Sequence, residues 1–320
     1  MLTNRIGIST SYAFRFGLGR GRLLACGDPD PRLVRRNSGR TRLPKGADFT
    51  YAIEPVVIEI LFLGTGGARF VVARQIRASG GMWMRFGNTQ IHVDPGPGAL
   101  VRALSHVPPC NPRELCAIVL SHKHLDHSND VNVMIEAMTS GGFNSRGAVL
   151  APIDAIEGEH VVLPYAQRFV ERVEVLRERA GPYRIGEVEL KTSIRHQHAV
   201  DTFGLHFTYE GRTVSYLPCG KFFDGLIDDY RAHAPDVLVI NVLRYKDSMD
   251  VDHLTFDQAR EVIRGVRPGV AVLQHFGTKM LEQIPPRLAR ELERELGLRV
   301  IAAHDGFTLD VETELAALAG

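Results

Sequence analysis

The residues best suited to chemistry lie in one short segment, residues 121–127 (SHKHLDH), which follows the apolar run at 117–120. A β-branched apolar run predicts a strand, and extended chain places His122 and His124 on one side of the backbone. Asp126 and His127 follow at the predicted start of a helix, where a carboxylate is favourable. Three imidazoles and one carboxylate are too many for one tetrahedral metal that also holds water. The segment therefore predicts two adjacent metal ions rather than a group of solvated surface histidines.

Three further segments could supply the remaining ligands. A loop after a predicted strand contains His196 and His198, and either imidazole could complete a three-histidine site with the first segment. Three neutral imidazoles with water in the fourth position are common at catalytic zinc. Cys219 ends another predicted strand; it is either a small buried apolar residue or a thiolate ligand that would favour zinc. His275 follows a third predicted strand and is also a candidate ligand.

The elements that must position these ligands are mostly strands. Apolar and alternating runs predict strands at residues 56–63, 81–86, 89–93, 117–120, 148–150, 161–163, 172–176, 188–194, 205–209, 213–217, 236–241, 270–273 and 299–302. Helical periodicity predicts helices at 99–104, 126–138, 222–230, 256–264 and 286–296. Strand-rich halves that are each followed by helices predict an α/β protein in which two sheets pack together with helices outside.

Composition describes an ordinary globular protein of 320 residues, 44% hydrophobic and 23% charged, with a formal net charge of +1. Near-neutral charge gives no general argument for nucleic acid or an acidic membrane surface. No apolar run approaches the ~18 residues that a membrane span requires. The four cysteines form no CxxC pair and no disulfide framework, which favours a reducing compartment, and we expect a cytoplasmic protein.

Residues 1–55 differ from the rest of the chain. They contain nine arginines and few acids, and glycine and proline interrupt every short apolar stretch. We expect a basic, low-order N-terminal extension over 1–55 and a folded domain over 56–320. An organelle transit peptide, or an arm for RNA or a protein partner, are the alternatives.

The ligand segment resembles the HxHxDH signature of the metallo-β-lactamase superfamily. Other landmarks have the same order: the turns at 63–66 and 93–96, His198 six residues before Gly204, Cys219 where the family has a bridging acid, and His275 at the last ligand position. The resemblance covers roughly residues 56 to 310. It implies a four-layer αββα sandwich with the metals in a cleft at the edge of the sheets, and it favours His198 over His196.

Within the superfamily, residues 252–259 and 273–276 resemble the ribonuclease Z and phosphodiesterase branch. In that branch the histidine at the position of His253 assists catalysis; a loop residue that merely precedes a helix is the alternative. The chain departs from the family at Cys219, because a thiolate cannot bridge two metals as a carboxylate does; some zinc β-lactamases use such a cysteine on the second metal only. It also shows no long Gly/Pro-rich arm between His127 and His198, which makes tRNA a doubtful substrate.

The resemblance implies a division of roles. Metal one is held by His122, His124 and His198, and metal two by Asp126, His127, His275 and Cys219. A metal-bridging hydroxide attacks, Asp126 helps to orient it, and His253 protonates the leaving group as general acid. Asp94 holds the ligand loops in place without binding a metal. Asp252 or Asp250 is a candidate to hold the proton of His253; a solvated loop acid is the alternative for either.

The expected function is therefore a metal-dependent hydrolase of phosphodiesters, nuclease-like or a cyclic-phosphate esterase. The expected substrate is a small-molecule phosphodiester or a nucleic acid, with two zinc ions as cofactors and manganese or iron as alternatives. The Cys219 position motivates a second hypothesis, an acyl hydrolase such as a lactonase, thioesterase or β-lactamase. A non-catalytic binder or a di-iron oxidoreductase is a third, although His124 stands where di-iron members carry glutamate. No membrane partner is expected, and a homodimer stays open.

Overall fold

The structure is a computed structural model that describes residues 56–246 and 251–319. The predicted N-terminal extension, residues 1–55, lies outside the described residues, so its boundary with the folded domain remains a prediction. Asp250 also lies outside them. None of the helices within 56–246 and 251–319 combines the length and the apolar character needed to cross a membrane.

Two mixed sheets form the centre of the described part of the chain. The strands are β1 (Ile58–Phe62), β2 (Met82–Phe86), β3 (Thr89–Val93), β4 (Leu115–Val119), β5 (Ala148–Pro152), β6 (Arg172–Leu176), β7 (Tyr183–Ile185), β8 (Val188–Arg195), β9 (Phe203–Tyr209), β10 (Arg212–Leu217), β11 (Val237–Asn241), β12 (Val270–Gln274), β13 (Arg299–Ala302) and β14 (Thr308–Asp310). Sheet one has the order β14-β1-β2-β3-β4-β5-β6, and sheet two has the order β13-β12-β11-β10-β9-β8-β7. In each sheet a parallel half, β3 to β6 or β10 to β13, adjoins an antiparallel half.

Helices flank the two sheets. They are α1 (Phe70–Arg74), α2 (Ala99–Ser105), α3 (Leu125–Ser128), α4 (Val131–Thr139), α5 (Ile153–Ile156), α6 (Pro164–Gln167), α7 (Leu226–Arg231), α8 (Phe256–Val266), α9 (Thr278–Leu281), α10 (Pro285–Leu296) and α11 (Val311–Ala319), with a 3-10 helix at Pro112–Glu114. Helix α8 begins with a capping box, because the Thr255 hydroxyl accepts from the backbone N–H of Gln258 and the Gln258 side chain accepts from that of Thr255.

Three apolar layers explain why this arrangement is stable. The central layer lies between the two sheets and includes Phe62 and Phe207. A second layer packs α4 against sheet one through Met134 and Ile118, and a third packs α8 and α10 against sheet two. Burying one face of each helix and both faces of each sheet requires four layers. The αββα sandwich predicted from the sequence is therefore confirmed.

Two predicted elements are wrong in detail, and hydrogen bonds of the folded chain explain both. The predicted helix at 126–138 is broken into α3 and α4, because Asp130 N donates to the carbonyl of Pro95 (3.0 Å) and the Asp130 carboxylate accepts from Leu100 N (3.3 Å). Residues 161–163 are not a strand: the N–H groups of Val161 and Val162 both donate to Ala155 O, closing a turn between α5 and α6.

The C-terminal segment closes sheet one and braces the glycine turn after β1. Strand β14 pairs antiparallel with β1. The Asp305 carboxylate accepts from Thr65 N (2.9 Å), Thr65 Oγ1 (2.8 Å) and Ala78 N (2.7 Å). At Gly67 the chain passes so close to His275 that a Cβ atom would collide with the His275 carbonyl oxygen, so this position requires glycine.

Candidate metal centre

The predicted ligands converge because four strand ends meet at one edge of the sandwich. Strand β4 of sheet one leads into residues 121–127, while the β8–β9 connection, the end of β10 and the end of β12 bring His198, Cys219 and His275 from sheet two. His275 and Asp94 both have left-handed backbones, with φ of 59° and 54°. Such strain in residues other than glycine persists only where the surrounding structure holds it, and it is common at functional sites.

His122, His124 and His198 form the first ligand group, in which three nitrogens lie within 4.8 Å of one another. The rings stand nearly perpendicular, with centroids 4.7 to 5.2 Å apart. The Nε2 atom of His122 is buried and has no hydrogen-bond partner, while its Nδ1 atom lies 3.0 Å from Ser121 Oγ. Burial lowers the pKa of His124 to about 4 and that of His198 to about 3, so both rings are neutral, as metal ligation requires.

Asp126, His127 and His275 form the second ligand group, also within 4.8 Å. His275 Nε2 lies 3.0 Å from His127 Nε2 and 3.2 Å from Asp126 Oδ2. The Cys219 sulfur lies beside them, 3.5 Å from His127 Nε2 and 3.8 Å from His275 Nε2. A small pocket beside this group is lined by Asp126, His127 and His275 and by Gly64 and Gly66 of the glycine turn.

Opposite charges balance in the second group. Burial lowers the pKa of His127 and His275, but the negative charges of Asp126 and Cys219 outweigh it, raising that of His127 well above its usual value and that of His275 to about 9. Burial raises the pKa of Cys219, yet the nearby imidazoles, led by His275, lower it well below its usual value. The basic imidazoles thus lie against acidic groups, and a divalent cation bound here would take the place of the protons shared among them.

Asp94 holds the two ligand segments from behind. Its carboxylate lies 2.9 Å from His127 Nδ1 and accepts from Ser121 N (2.7 Å), Ser121 Oγ (2.6 Å) and the Tyr216 hydroxyl (3.0 Å). Burial raises the pKa of Asp94, but its contacts with His127 outweigh this and lower it. Asn241 donates to the Tyr216 oxygen (3.0 Å) and lies 3.5 Å from the Cys219 sulfur.

The structure separates the two histidines that the sequence alone left open. His196 is turned away from the ligand groups: its Nδ1 lies 3.1 Å from the carbonyl of Cys219 and its Nε2 lies 3.1 Å from the Tyr230 hydroxyl. His198 instead faces the first group, with Nε2 3.0 Å from His124 Nδ1. His196 therefore supports the loop that carries Cys219.

His253 lies across both ligand groups. Its ring stacks at 5.8 Å and 10° on His275 and meets His198 edge-on at 5.3 Å. Its Nδ1 atom is buried without a hydrogen-bond partner, and its carbonyl accepts from Arg244 (2.8 Å). His253 also lies close enough to Cys219 and His275 to serve as a ligand with them.

Asp252 lies on the side of the first ligand group. Its carboxylate lies 4.0 Å from His198 Nδ1 and 3.4 Å from Lys221 Nζ. Nδ1 of His253 has no hydrogen-bond partner among the described residues, and Asp250, the other residue suggested to hold the His253 proton, lies outside them.

Sequence reasoning missed several buried polar residues around the site. Gln274 donates to Asn241 Oδ1 (3.1 Å), and Asn241 in turn contacts Tyr216 and Cys219. The available signal was an amide residue at the end of each of two adjacent apolar strands, β11 and β12.

Comparisons with known proteins agree with this geometry. A family model described as the beta-lactamase superfamily domain matches residues 89–276. The protein MJ1374 of Methanocaldococcus jannaschii is 32% identical over 266 residues, 79% of this chain and 95% of its own length. The probable metallo-hydrolase YhfI of Bacillus subtilis is 24% identical over 205 residues, 62% of this chain and 80% of its length.

Solved structures show the same fold. The superposition on the crystal structure of YhfI covers 79% of this chain and 99% of the YhfI chain, with a TM-score of 0.66 at 20% sequence identity. The human short-form tRNase Z superposes with a TM-score of 0.60 at 15% identity and covers 79% of this chain and 99% of its own chain. A diphosphatase of the PhnP family superposes with a TM-score of 0.56 at 19% identity and covers 79% of this chain and 96% of its own chain. The chain thus belongs to the β-lactamase superfamily, as a metallo-β-lactamase-fold hydrolase.

Proposed function

We propose that this metallo-hydrolase cleaves phosphodiesters with two divalent metal ions. His122, His124 and His198 hold the first ion; Asp126, His127 and His275, together with Cys219, hold the second. The observation that carries the proposal is His253, whose ring lies across both ligand groups. A proton donor at that position would be near the leaving group of a substrate bound to two ions held by these residues.

The residues fit two metals on their own geometry. Imidazole and thiolate donors suit zinc, whereas manganese and iron remain alternatives that depend on the role of Cys219. The buried His122 Nε2 without a partner needs an electrophile, since unpaired buried polar atoms are rare in folded proteins. Asp94 behind His127 is the oxygen partner that ligating histidines usually have at their second nitrogen.

The chemistry divides between the ions and the side chains. Two divalent ions supply a water of lowered pKa and offset the negative charge that gathers on the phosphate oxygens. His253 donates a proton to the departing alkoxide. Asp252, beside His198 and Lys221, holds that side of the cleft in place. A phosphodiester needs these features because its transition state carries negative charge on several oxygens.

The names of similar structures support this substrate class. One is a diphosphatase of the PhnP family and two are forms of ribonuclease Z, from human and yeast, so phosphoryl and RNA substrates occur among proteins with this fold. A long arm for gripping tRNA is not predicted here; residues 128–197, all of which the structure describes, include α4 to α6 and β5 to β8. A small phosphodiester or single-stranded nucleic acid is the substrate we propose.

A substrate panel with metal removal tests the proposal. Dialysis against a chelator should abolish hydrolysis of bis-p-nitrophenyl phosphate and of a 2′,3′-cyclic nucleotide, and added Zn²⁺ should restore it. Homoserine lactones, thioesters and nitrocefin, assayed in parallel, should turn over at least tenfold more slowly. Faster turnover of any acyl substrate would replace the phosphodiesterase proposal by an acyl hydrolase on the same centre.

That alternative has one specific observation in its favour, the thiol of Cys219 beside His127 and His275. A thiolate confined to the second ion leaves the first ion free to polarise a carbonyl group. The ring of His253 favours the phosphodiester instead, because a carbonyl substrate has less need of a proton donor at this position.

Replacing Cys219 tests whether the thiol is a ligand. Elemental analysis of Cys219→Ala, purified without added metal, should give one ion per chain fewer than the wild type. Cys219→Asp should restore the count, since a carboxylate can take the same place. Cys110→Ala, at a half-buried thiol in the loop after α2, is the matched control. Equal metal content in wild type and Cys219→Ala would show that the sulfur only fills space.

A further inference from the structure

A second histidine cluster lies on the outer face of sheet two, away from the ligand groups described above. Strand β9 alternates, so Leu205 and Phe207 point into the core between the sheets while His206 points outward to α7. The His206 ring is 1% exposed and stacks face to face on His233, with centroids 3.6 Å apart and an interplanar angle of 11°. Tyr230 of α7 meets the same ring at 5.0 Å.

Asp229 completes a set of three donors. One ligand atom each from His206, Asp229 and His233 lies within 4.8 Å of the others. The Nε2 atom of His206 is buried without a hydrogen-bond partner, whereas its Nδ1 atom lies 2.8 Å from Ser215 Oγ. A buried imidazole that has one nitrogen anchored and the other bare has the arrangement of a metal ligand.

We propose that His206, His233 and Asp229 bind one borderline transition-metal ion, such as Zn²⁺, at a site separate from the hydrolytic centre. Two imidazoles and a carboxylate are donors that zinc, copper and nickel accept.

The surrounding charges show what an incoming ion must displace. Asp229 Oδ1 accepts from Arg179 Nε (3.0 Å), and Asp229 Oδ2 accepts from Ile194 N (2.9 Å). Lys191 of β8 lies opposite His206 in the sheet. The Arg179 side chain is 63% exposed, so it can turn into solvent, whereas the Asp229 side chain is 6% exposed and would exchange this bond for one to the ion.

The ring geometry implies that His233 moves when an ion binds. In the three-histidine group the centroids are 4.7 to 5.2 Å apart and the rings are nearly perpendicular. The His206 and His233 rings are closer and parallel, so His233 must slide outward before both nitrogens can point at one ion. His233 lies in the turn after α7 and is only half-buried, which allows that movement. The cost of the movement makes this ion weaker-bound than those of the hydrolytic centre.

Metal counting tests the site in the intact protein. After equilibrium dialysis against excess Zn²⁺, elemental analysis should find one ion per chain fewer in His233→Gln and in Asp229→Asn than in the wild type. Asp229→Asn keeps an oxygen acceptor for Ile194 N, so the sheet contact survives. His304→Ala, at an exposed histidine elsewhere, is the control and should match the wild type.

A second measurement guards against misfolded variants. Excess Zn²⁺ should raise the thermal unfolding temperature of the wild type more than that of either variant, because an ion that binds only the folded state stabilises it. The test compares zinc counts between the wild type and the variants, so the expected difference of one ion per chain is the same whatever number of ions the hydrolytic centre holds. Equal zinc counts and equal thermal shifts in all four proteins would overturn the proposal and leave the stacked rings as a packing contact.

Discussion

His122→Ala is expected to lower kcat/KM for phosphodiester hydrolysis by ~10³-fold or more. His122 stands where the two ligand groups meet: it belongs to the three-histidine group, and its ring centroid lies 4.2 Å from that of His127. Losing the first ion removes several kcal/mol of charge stabilisation in the transition state, and each ~1.4 kcal/mol is worth about tenfold in rate. Steady-state kinetics with metal analysis on the same sample measures both effects.

The control for this variant is His304→Ala, an exposed histidine outside the centre, which should keep wild-type kinetics. Circular dichroism and the unfolding temperature establish that the His122→Ala protein is folded. If folded His122→Ala retained both its ions and its activity, His122 would have no place in the ligand set, and the proposed division into two metal sites would fail.

His253→Gln is expected to slow cleavage of an alkyl phosphodiester, such as a dinucleotide, by about 10²–10⁴-fold, the usual contribution of a general acid. The loss should be much smaller with a p-nitrophenyl leaving group, because that anion departs without needing a proton. The dependence on leaving group separates proton donation from substrate binding, which would slow both substrates alike. Rates for the two substrates, measured with wild type and variant, give the comparison.

Metal content distinguishes the two roles that the geometry allows His253. As a proton donor it can be replaced without loss of either ion. As a ligand beside Cys219 and His275, its removal would cost an ion and slow both substrates. Asp252→Asn, which changes the neighbouring residue near His198, should slow both substrates to a similar extent and so serves as the positional control.

The contiguous part of the site could be predicted from the sequence because it needs only local geometry. Residues 121–127 combine an extended segment with a helix start, and their side chains are placed by the alternation of a strand and the first turn of α3. Choosing between His196 and His198 needed more than the residues themselves. In space the distinction rests on Tyr230 and the Cys219 carbonyl, which draw His196 away, and neither partner is near it in sequence.

The incorrect prediction of one helix over 126–138 also arises from partners that are distant in sequence. The break between α3 and α4 depends on Asp130 bonding to Pro95 and Leu100, a contact between segments 30 or more positions apart that helical periodicity does not contain. The contact of Asp252 with Lys221 likewise joins two loops from different strands. The layered fold was predictable because apolar patterning is local, whereas the hydrogen bonds that end helices and aim side chains depend on the finished packing.

The hydrogen bonds between Asp305 and Thr65 join two distant parts of the sequence, so sheet one can be completed only late in synthesis. The two residues are 240 positions apart, and β1 obtains its outer partner only when β14 has been made. At about 5–20 residues per second, a ribosome needs on the order of 10–50 s to cover that distance. During that interval β1 presents an unpaired edge, which is the kind of surface that associates with other chains. A nascent chain therefore carries all of residues 121–127 before sheet one is complete, and we expect it to depend on chaperones during that interval. A C-terminally shortened chain lacks β14 permanently.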